Sequence, residues 1–148
     1  SYVVEYMGPF GHFTFDETSN KNHIFIGTGT GIAPLKAIIE DELNKGNKSK
    51  FHLFFGVRYV KDLSYKDFLE NLAKKYKNFT YEITISRPEN DSWTKEPARV
   101  TDLLKKTIID PLNTDAYICG LKEMVLEATQ ILIEKGVDKK NIHFERFN

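Results

Sequence analysis

The chain has 148 residues, 21 basic against 21 acidic side chains, a formal net charge of zero and 41% hydrophobic residues. That length suits one compact domain, with room for a short appendage, that folds without disulfides or a structural metal. Balanced charge argues against nucleic acid as the main partner, because phosphate binding needs a basic surplus on some face, and no apolar stretch reaches the roughly 18 residues that span a bilayer.

Residues 1–16 read differently from the rest. Val4 and Tyr6 followed by Gly8-Pro9-Phe10-Gly11 have the pattern of a strand end and a turn, and Phe13 and Phe15 alternate with polar residues as in a second short strand. Ser1 already lies in strand-like sequence, as expected of a piece of a longer protein, and no signal peptide is visible. A polar break at 17–22 follows. From His23 onward, strands and helices alternate. His23–Ile26 is a short apolar run ending in a glycine cluster. Pro34 to Lys45 is helical, with Leu35, Ile38, Ile39 and Leu43 on one face and Gly46 as a stop. Pro34 is tolerated in a first helical turn. Phe51–Phe55 is a second strand. Tyr65, Phe68, Leu69, Leu72 and Tyr76 have helical spacing, and Thr80–Ile85 is a third strand.

The segment from Pro88 to Pro97 is polar and turn-rich, a surface loop. Thr101 or Asp102 is positioned to cap a helix carrying Leu103, Leu104 and Ile108. Ala116–Cys119 is a fourth strand. Leu121 to Lys135 is a helix with Met124, Val125, Ala128 and Leu132 inward and Gly136 as its stop, and Ile142–Phe147 is a fifth strand. Five strands alternating with four helices predict an α/β fold: a five-stranded parallel sheet, order 3-2-1-4-5, with helices on both faces.

The strongest chemical signal is Gly27-Thr28-Gly29-Thr30-Gly31-Ile32-Ala33-Pro34, between a strand and a helix. Glycines there admit close backbone approach, and the helix start offers unpaired N–H groups and the positive end of its dipole, so a diphosphate is the natural occupant. The alternative is a glycine-rich turn with no ligand. A Walker loop needs Gly-Lys-Ser/Thr, which is absent, so an NTPase is disfavoured. The common dinucleotide fingerprint needs a glycine where Ile32 stands and an acidic residue where Gly56-Val57-Arg58 is found. The arrangement is therefore a different nucleotide-binding one.

Cys119-Gly120 closes the fourth strand. In the order 3-2-1-4-5 the first and fourth strands flank the topological switch point, so the glycine loop and Cys119 are expected to face one crevice. The other reading of Cys119 is a buried structural cysteine. As the one cysteine, it excludes a disulfide framework, a four-cysteine zinc site and an all-cysteine iron–sulfur cluster within this chain, and it agrees with a reducing, cytoplasmic compartment. Ser86-Arg87 ends the third strand. Arg87 and Arg58 each read either as a phosphate or adenine contact or as a solvated loop arginine. Histidines 12, 23, 52 and 143 show no metal-ligand spacing.

Taken in order, Gly8-Pro9-Phe10-Gly11, the 27–34 segment, Phe55-Gly56-Val57-Arg58 with Asp62-Leu63, Ser86-Arg87-Pro88, Arg99-Val100-Thr101, Cys119-Gly120 with Met124, and Glu145 with Phe147 make a specific set. On these residues, from about Gly8 to the C-terminus, the chain resembles the nicotinamide-nucleotide-binding domain of the ferredoxin–NADP reductase superfamily. The resemblance implies a hydride-transfer flavoenzyme, using NADP or NAD together with FAD and passing electrons to a carrier or an oxygenase. By the same resemblance, Gly27 belongs to the loop, Thr28 to Gly31 cradle the nicotinamide side and the diphosphate, and Pro34 starts the helix. Cys119 and Gly120 border the nicotinamide, Leu121 is a further cofactor-binding candidate, and Met124 shapes that wall. Glu145 is the acidic group near the reacting rings and Phe147 the aromatic beside the flavin. Ser86 and Arg87, with Arg58 as a further candidate, hold the adenosine ribose or its 2′-phosphate.

Two departures bear on this. The family's Arg-x-Tyr-Ser/Thr flavin motif does not occur, so residues 1–16 are read as the end of a flavin-binding barrel and 17–148 as the nucleotide domain. Leu121 stands where many members have proline, giving the Cys-Gly-Leu-Lys variant. Three further matters stay open at this point. One is the choice between NADH and NADPH. Another is a non-catalytic nucleotide-binding or regulatory subunit whose flavin sits on another chain. The third is a regulatory α/β module with no dinucleotide.

Overall fold

The computed structural model describes residues 3–8, 11–89 and 93–147, with side chains from Phe15 onward. Pro9 and Phe10, within the turn read from the sequence, lie outside the described residues. Two short strands, β1 (Val3–Gly8) and β2 (Gly11–Asp16), pair antiparallel as a separate two-stranded sheet. The alternation then begins: β3 (Asn22–Thr28), α1 (Ile32–Asn44), β4 (Phe51–Val57), α2 (Lys66–Lys75), β5 (Phe79–Ile85), α3 (Val100–Lys106), β6 (Thr114–Leu121), α4 (Lys122–Glu134) and β7 (Ile142–Phe147). The last five strands form one parallel sheet in the order β5-β4-β3-β6-β7. Counted from β3, that is the expected 3-2-1-4-5.

Burial explains why these runs became strands in these places. β3 and β6 sit in the middle of the sheet and are buried almost throughout, whereas the edge strand β7 is mostly half-buried or exposed. Strand parity sorts the residues onto two faces. Phe25, Leu53, Phe55, Tyr117 and Cys119 pack under α1 and α2, together with Phe15 at the end of the hairpin. Ile24, Ile26, Phe54, Ala116 and Ile118 pack under α3 and α4. Burying each phenylalanine of these cores contributes about 1.5–3 kcal/mol.

Helix ends follow local chemistry. α1 and α4 both stop at a glycine with positive φ, Gly46 at 91° and Gly136 at 98°. Gly46 N–H donates to the Leu43 carbonyl and Asn47 N–H to that of Glu42; Gly136 and Val137 repeat the pattern at Ile133 and Leu132.

Three expectations are corrected. α1 starts at Ile32, so Pro34 is its third residue and not its first; the position still lies within the turn whose N–H groups lack helical partners. Neither Thr101 nor Asp102 is the cap of α3. Arg99 is, and Asp102 accepts its backbone N–H at 2.9 Å from one turn inside. Ile108 belongs to no helix: α3 ends at Lys106 and Ile108 is 98% exposed. The Thr107 side chain donates back to the Leu103 carbonyl at 2.8 Å, closing the last turn one residue before it.

Candidate functional site

At the carboxyl ends of the strands lies an open groove of about 1250 Å³. It forms where the sheet order reverses: β4 is reached from β3 through α1 on one face, and β6 lies on the other side of β3. Its floor depends on three close backbone approaches. A Cβ on Gly31 would overlap the carbonyl group of Cys119. A Cβ on Gly120 would lie 2.6 Å from both the Thr28 hydroxyl and the Met124 Cε, and one on Gly27 would lie 2.8 Å from Leu35 Cδ1. The β3 and β6 tips therefore interlock, with Gly27 opposite Cys119 in register. Gly29, at φ 53°, turns the chain into a single helical turn that leads straight into α1, so the positive end of a thirteen-residue helix faces the groove.

Of the residues singled out from sequence, Thr28, Gly29, Thr30, Arg58, Ser86, Leu121, Met124 and Phe147 line the groove. Gly27, Gly31 and Gly120 lie at the approaches beneath it, and Pro34 stands behind it in the first turn of α1. Arg87 is exposed at the neighbouring tip, its backbone N–H bonded to the Arg58 carbonyl at 2.8 Å.

Cys119 departs from the expectation that it faces the crevice. Its side chain has no exposed surface and packs in the core under α1, because it shares the face of Tyr117, two residues earlier on the strand. Burial, aided by the Glu145 carboxylate opposite it in register, pushes the thiol up to about 12. It is a neutral thiol at physiological pH. Glu145 is half-buried on the same face of β7. Phe147 lies further along that strand, packed against the core and on the groove edge.

Several features escaped the sequence reading. Thr84 and Thr101 both line the groove at 5% and 1% exposure, and neither hydroxyl has a hydrogen-bond partner among the described residues. Lys61, Arg99, Glu123 and Glu127 also line the groove. Arg99 and Glu127 meet at its wall, bidentate at 3.2 Å for each bond. In the string Arg99-Val100-Thr101 the sequence offers Thr101 only as a helix cap and gives Arg99 no role, and nothing in the local pattern marks Thr84 or Glu127.

A second polar cluster occupies the opposite end of the sheet. Glu17, Asp41 and Glu42 bring carboxylate oxygens within 4.8 Å of one another. The Lys45 ammonium already sits among them, 2.6 Å from Glu17, 3.0 Å from Asp41 and 3.7 Å from Glu42. Burial, followed by the carboxyl of Glu17, pushes Glu42 up to about 7.

Comparison with known proteins bears on the groove. The oxidoreductase NAD-binding domain family matches residues 25–130. The chain is 35% identical over 150 residues to ferredoxin–NADP reductase B of Sorangium cellulosum (strain So ce56), with 96% of this chain and 61% of that protein covered. It is 31% identical over 148 residues to the reductase component of propane 2-monooxygenase from Rhodococcus jostii (strain RHA1), covering 97% and 40%. Among solved structures, an Amycolatopsis cytochrome P450 reductase superposes with a TM-score of 0.82 at 24% identity, covering 95% of this chain and 42% of that one. A ferredoxin NADP+ reductase from Neisseria gonorrhoeae, with bound FAD and NADP, gives 0.72 at 26% identity, covering 87% and 57%. The chain thus spans between 40% and 61% of the length of these four proteins. With a family match over most of its length, centred on the strands and loops that build the groove, the chain belongs to the oxidoreductase NAD-binding domain family.

Proposed function

We propose that this chain is the coenzyme-binding part of a ferredoxin–NADP reductase-like flavoenzyme. It holds NADH or NADPH across the strand tips and presents the nicotinamide to an FAD carried mainly by a flavin-binding domain, on the same polypeptide or another. The observation that carries the reading is the interlock of Gly31 on the Cys119 carbonyl and of Gly120 between Thr28 and Met124. It seats the two strand tips against each other with no room for a further side chain, at the head of a helix dipole, which suits a diphosphate and the ring joined to it.

The residues fit that ligand. The Thr28–Thr30 turn and the start of α1 receive the diphosphate, while Gly120, Leu121 and Met124 border the ring. Ser86, Arg87 and Arg58 stand at the ribose end, and the Thr84 and Thr101 hydroxyls, without partners among the described residues, lie on the floor between. Cys119 and Glu145 sit together under the ring step, with Phe147 at its edge. Bound together, the two cofactors would supply the hydride-transfer chemistry, which belongs to them and not to the protein. The protein contributes orientation and exclusion of water. The electrons then go on to a carrier protein or an oxygenase.

The separate β1–β2 sheet supports reading residues 1–16 as the end of the flavin barrel. The unpaired, buried Cys119 suits a cytoplasmic setting. Thermal unfolding with each nucleotide tests the binding claim. NADH or NADPH at a hundredfold excess over its dissociation constant adds about 2.7 kcal/mol of stability and raises the midpoint, whereas FAD alone leaves it unmoved. A midpoint indifferent to both coenzymes would sink the reading.

A further inference from the structure

The ribose end of the groove is built by three backbone hydrogen bonds. Ser86 N–H donates to the Val57 carbonyl at 3.0 Å, Arg87 to Arg58 at 2.8 Å and Ala98 to Ile85 at 3.1 Å. Together they bring Arg58, Arg87 and Arg99 to neighbouring strand and helix ends. Arg99 stands apart from the other two in how its charge is used. Both of its terminal nitrogens donate to the two carboxylate oxygens of Glu127. That fork-to-fork geometry is the most directional arrangement available to a guanidinium. Glu127 is held in place by α4, whose Val125 and Ala128 are buried on either side of it in sequence. Lys105 of α3 lies 3.5 Å from Glu127 Oε2, one of the two oxygens that Arg99 holds. Since Arg99 and Glu127 both line the groove, the pair cancels one positive charge where an anionic ligand would want it. It also leaves a carboxylate on the wall.

We propose that Glu127 is a coenzyme-selectivity residue. By occupying Arg99 it withholds a guanidinium from the 2′-phosphate that distinguishes NADPH from NADH. This rests on the reading of the groove as a nicotinamide-dinucleotide site, and it goes further by giving the chain a preference for the unphosphorylated ribose. The chemistry is electrostatic and needs no change of fold. A dianionic phosphate gains more from a released Arg99 guanidinium than a neutral 2′-hydroxyl does, and the pair is exposed enough, at 60% for Arg99 and 30% for Glu127, to reorganise around a ligand.

Calorimetric titration of the chain with NAD+ and NADP+ tests it. Glu127→Gln lowers the ratio of the NADP+ to the NAD+ dissociation constant by about threefold to tenfold, mainly by tightening NADP+. Glu127→Ala, which removes the acceptor altogether, does at least as much. Arg99→Ala alone changes the ratio less than twofold, because Arg99 is already engaged, but in the Glu127→Gln background it erases the gain. This non-additivity is the signature of two residues acting as a unit. The gain also shrinks as salt is raised. An unchanged ratio in both Glu127 variants overturns the proposal. So does equal tightening of both coenzymes, or a gain that survives removal of Arg99. Failure of the unaltered chain to bind either coenzyme is a separate result: it removes the reading of the groove and the selectivity proposal together.

Discussion

The two ends of β3 are built on opposite principles. At its start, His23 is fully buried among Phe15, Phe51 and Tyr117, with ring centroids 5.1, 5.1 and 6.3 Å away. At its finish, Gly27 and Thr28 open into a groove edged by small residues and cations. The lower end fills space with rings, and the upper end brings neighbouring segments together by omitting side chains. A parallel sheet makes this division natural. Each strand's carboxyl end feeds a loop that must turn back toward a helix, and where two such loops diverge to opposite faces nothing covers the tips between them. Stability and binding are thereby assigned to different ends of the same strands, and substitutions can separate the two.

The largest effect belongs to the closed end. Phe25 is wholly buried and stacks on Phe51 and Tyr117, at 5.6 and 5.3 Å between centroids. Phe25→Ala should cost about 3–5 kcal/mol in denaturant unfolding, with the coenzyme dissociation constant unchanged at temperatures where the variant stays folded. A binding loss as large as the stability loss would erase the distinction between the ends.

Gly31→Ala reverses the balance. Its new methyl group meets the Cys119 carbonyl and can only be accommodated by moving the loop off the neighbouring tip. Calorimetry should register at least about a tenfold weaker coenzyme affinity, for a stability cost of about 1–3 kcal/mol. Affinity equal to that of the unaltered chain would mean that the interlocked tips do not form the binding step.

The mildest effect is visible as a slope against pH. Glu42 ordinarily titrates at 4.5 but is held at about 7 in the folded chain, chiefly by burial and then by Glu17. The native state therefore binds the extra proton more tightly than the unfolded one. The resulting stability is fully present below pH 4.5 and is lost as pH rises through about 7. His23, His52 and His143 work the other way: burial depresses all three, so their contribution grows as pH rises toward 6.5. The difference in melting midpoint between the unaltered chain and Glu42→Gln isolates the carboxyl. It should shift in favour of the variant between pH 4.5 and 7 and then level off, whereas a flat difference would place Glu42 in its ordinary range.

Much of this was legible in one dimension. The central strands read as unbroken apolar runs because both of their faces are covered, and Gly46 and Gly136 marked helix ends through a conformation few other residues accept. The glycine loop and its neighbours Thr28 and Thr30 were placed on the right tip. What could not be read was the direction of side chains at those tips. Cys119 was assigned to the correct strand end, but its parity with Tyr117 turns the sulfur into the core. Arg99, the cap of α3, and Glu127 of α4 are 28 residues apart, and their meeting depends on how α3 packs beside α4, which no local spacing records. Glu42 follows Ile38 by one helical turn on the buried face of α1. Its neighbours in sequence give no hint that a carboxyl is enclosed there by Glu17 from another segment. Ile108 was misread for the opposite reason: an apolar residue in helical phase says nothing about where the backbone stops.

The enclosed, protonated sulfur of Cys119 has one more consequence. Peroxides and electrophiles attack thiolates, and only those they can reach. A sulfur that is solvent-free and titrates near 12 is neither. Oxidants that reach the groove above it leave this cysteine chemically silent, so the strand tip it supports keeps its shape under conditions that would modify an exposed thiolate.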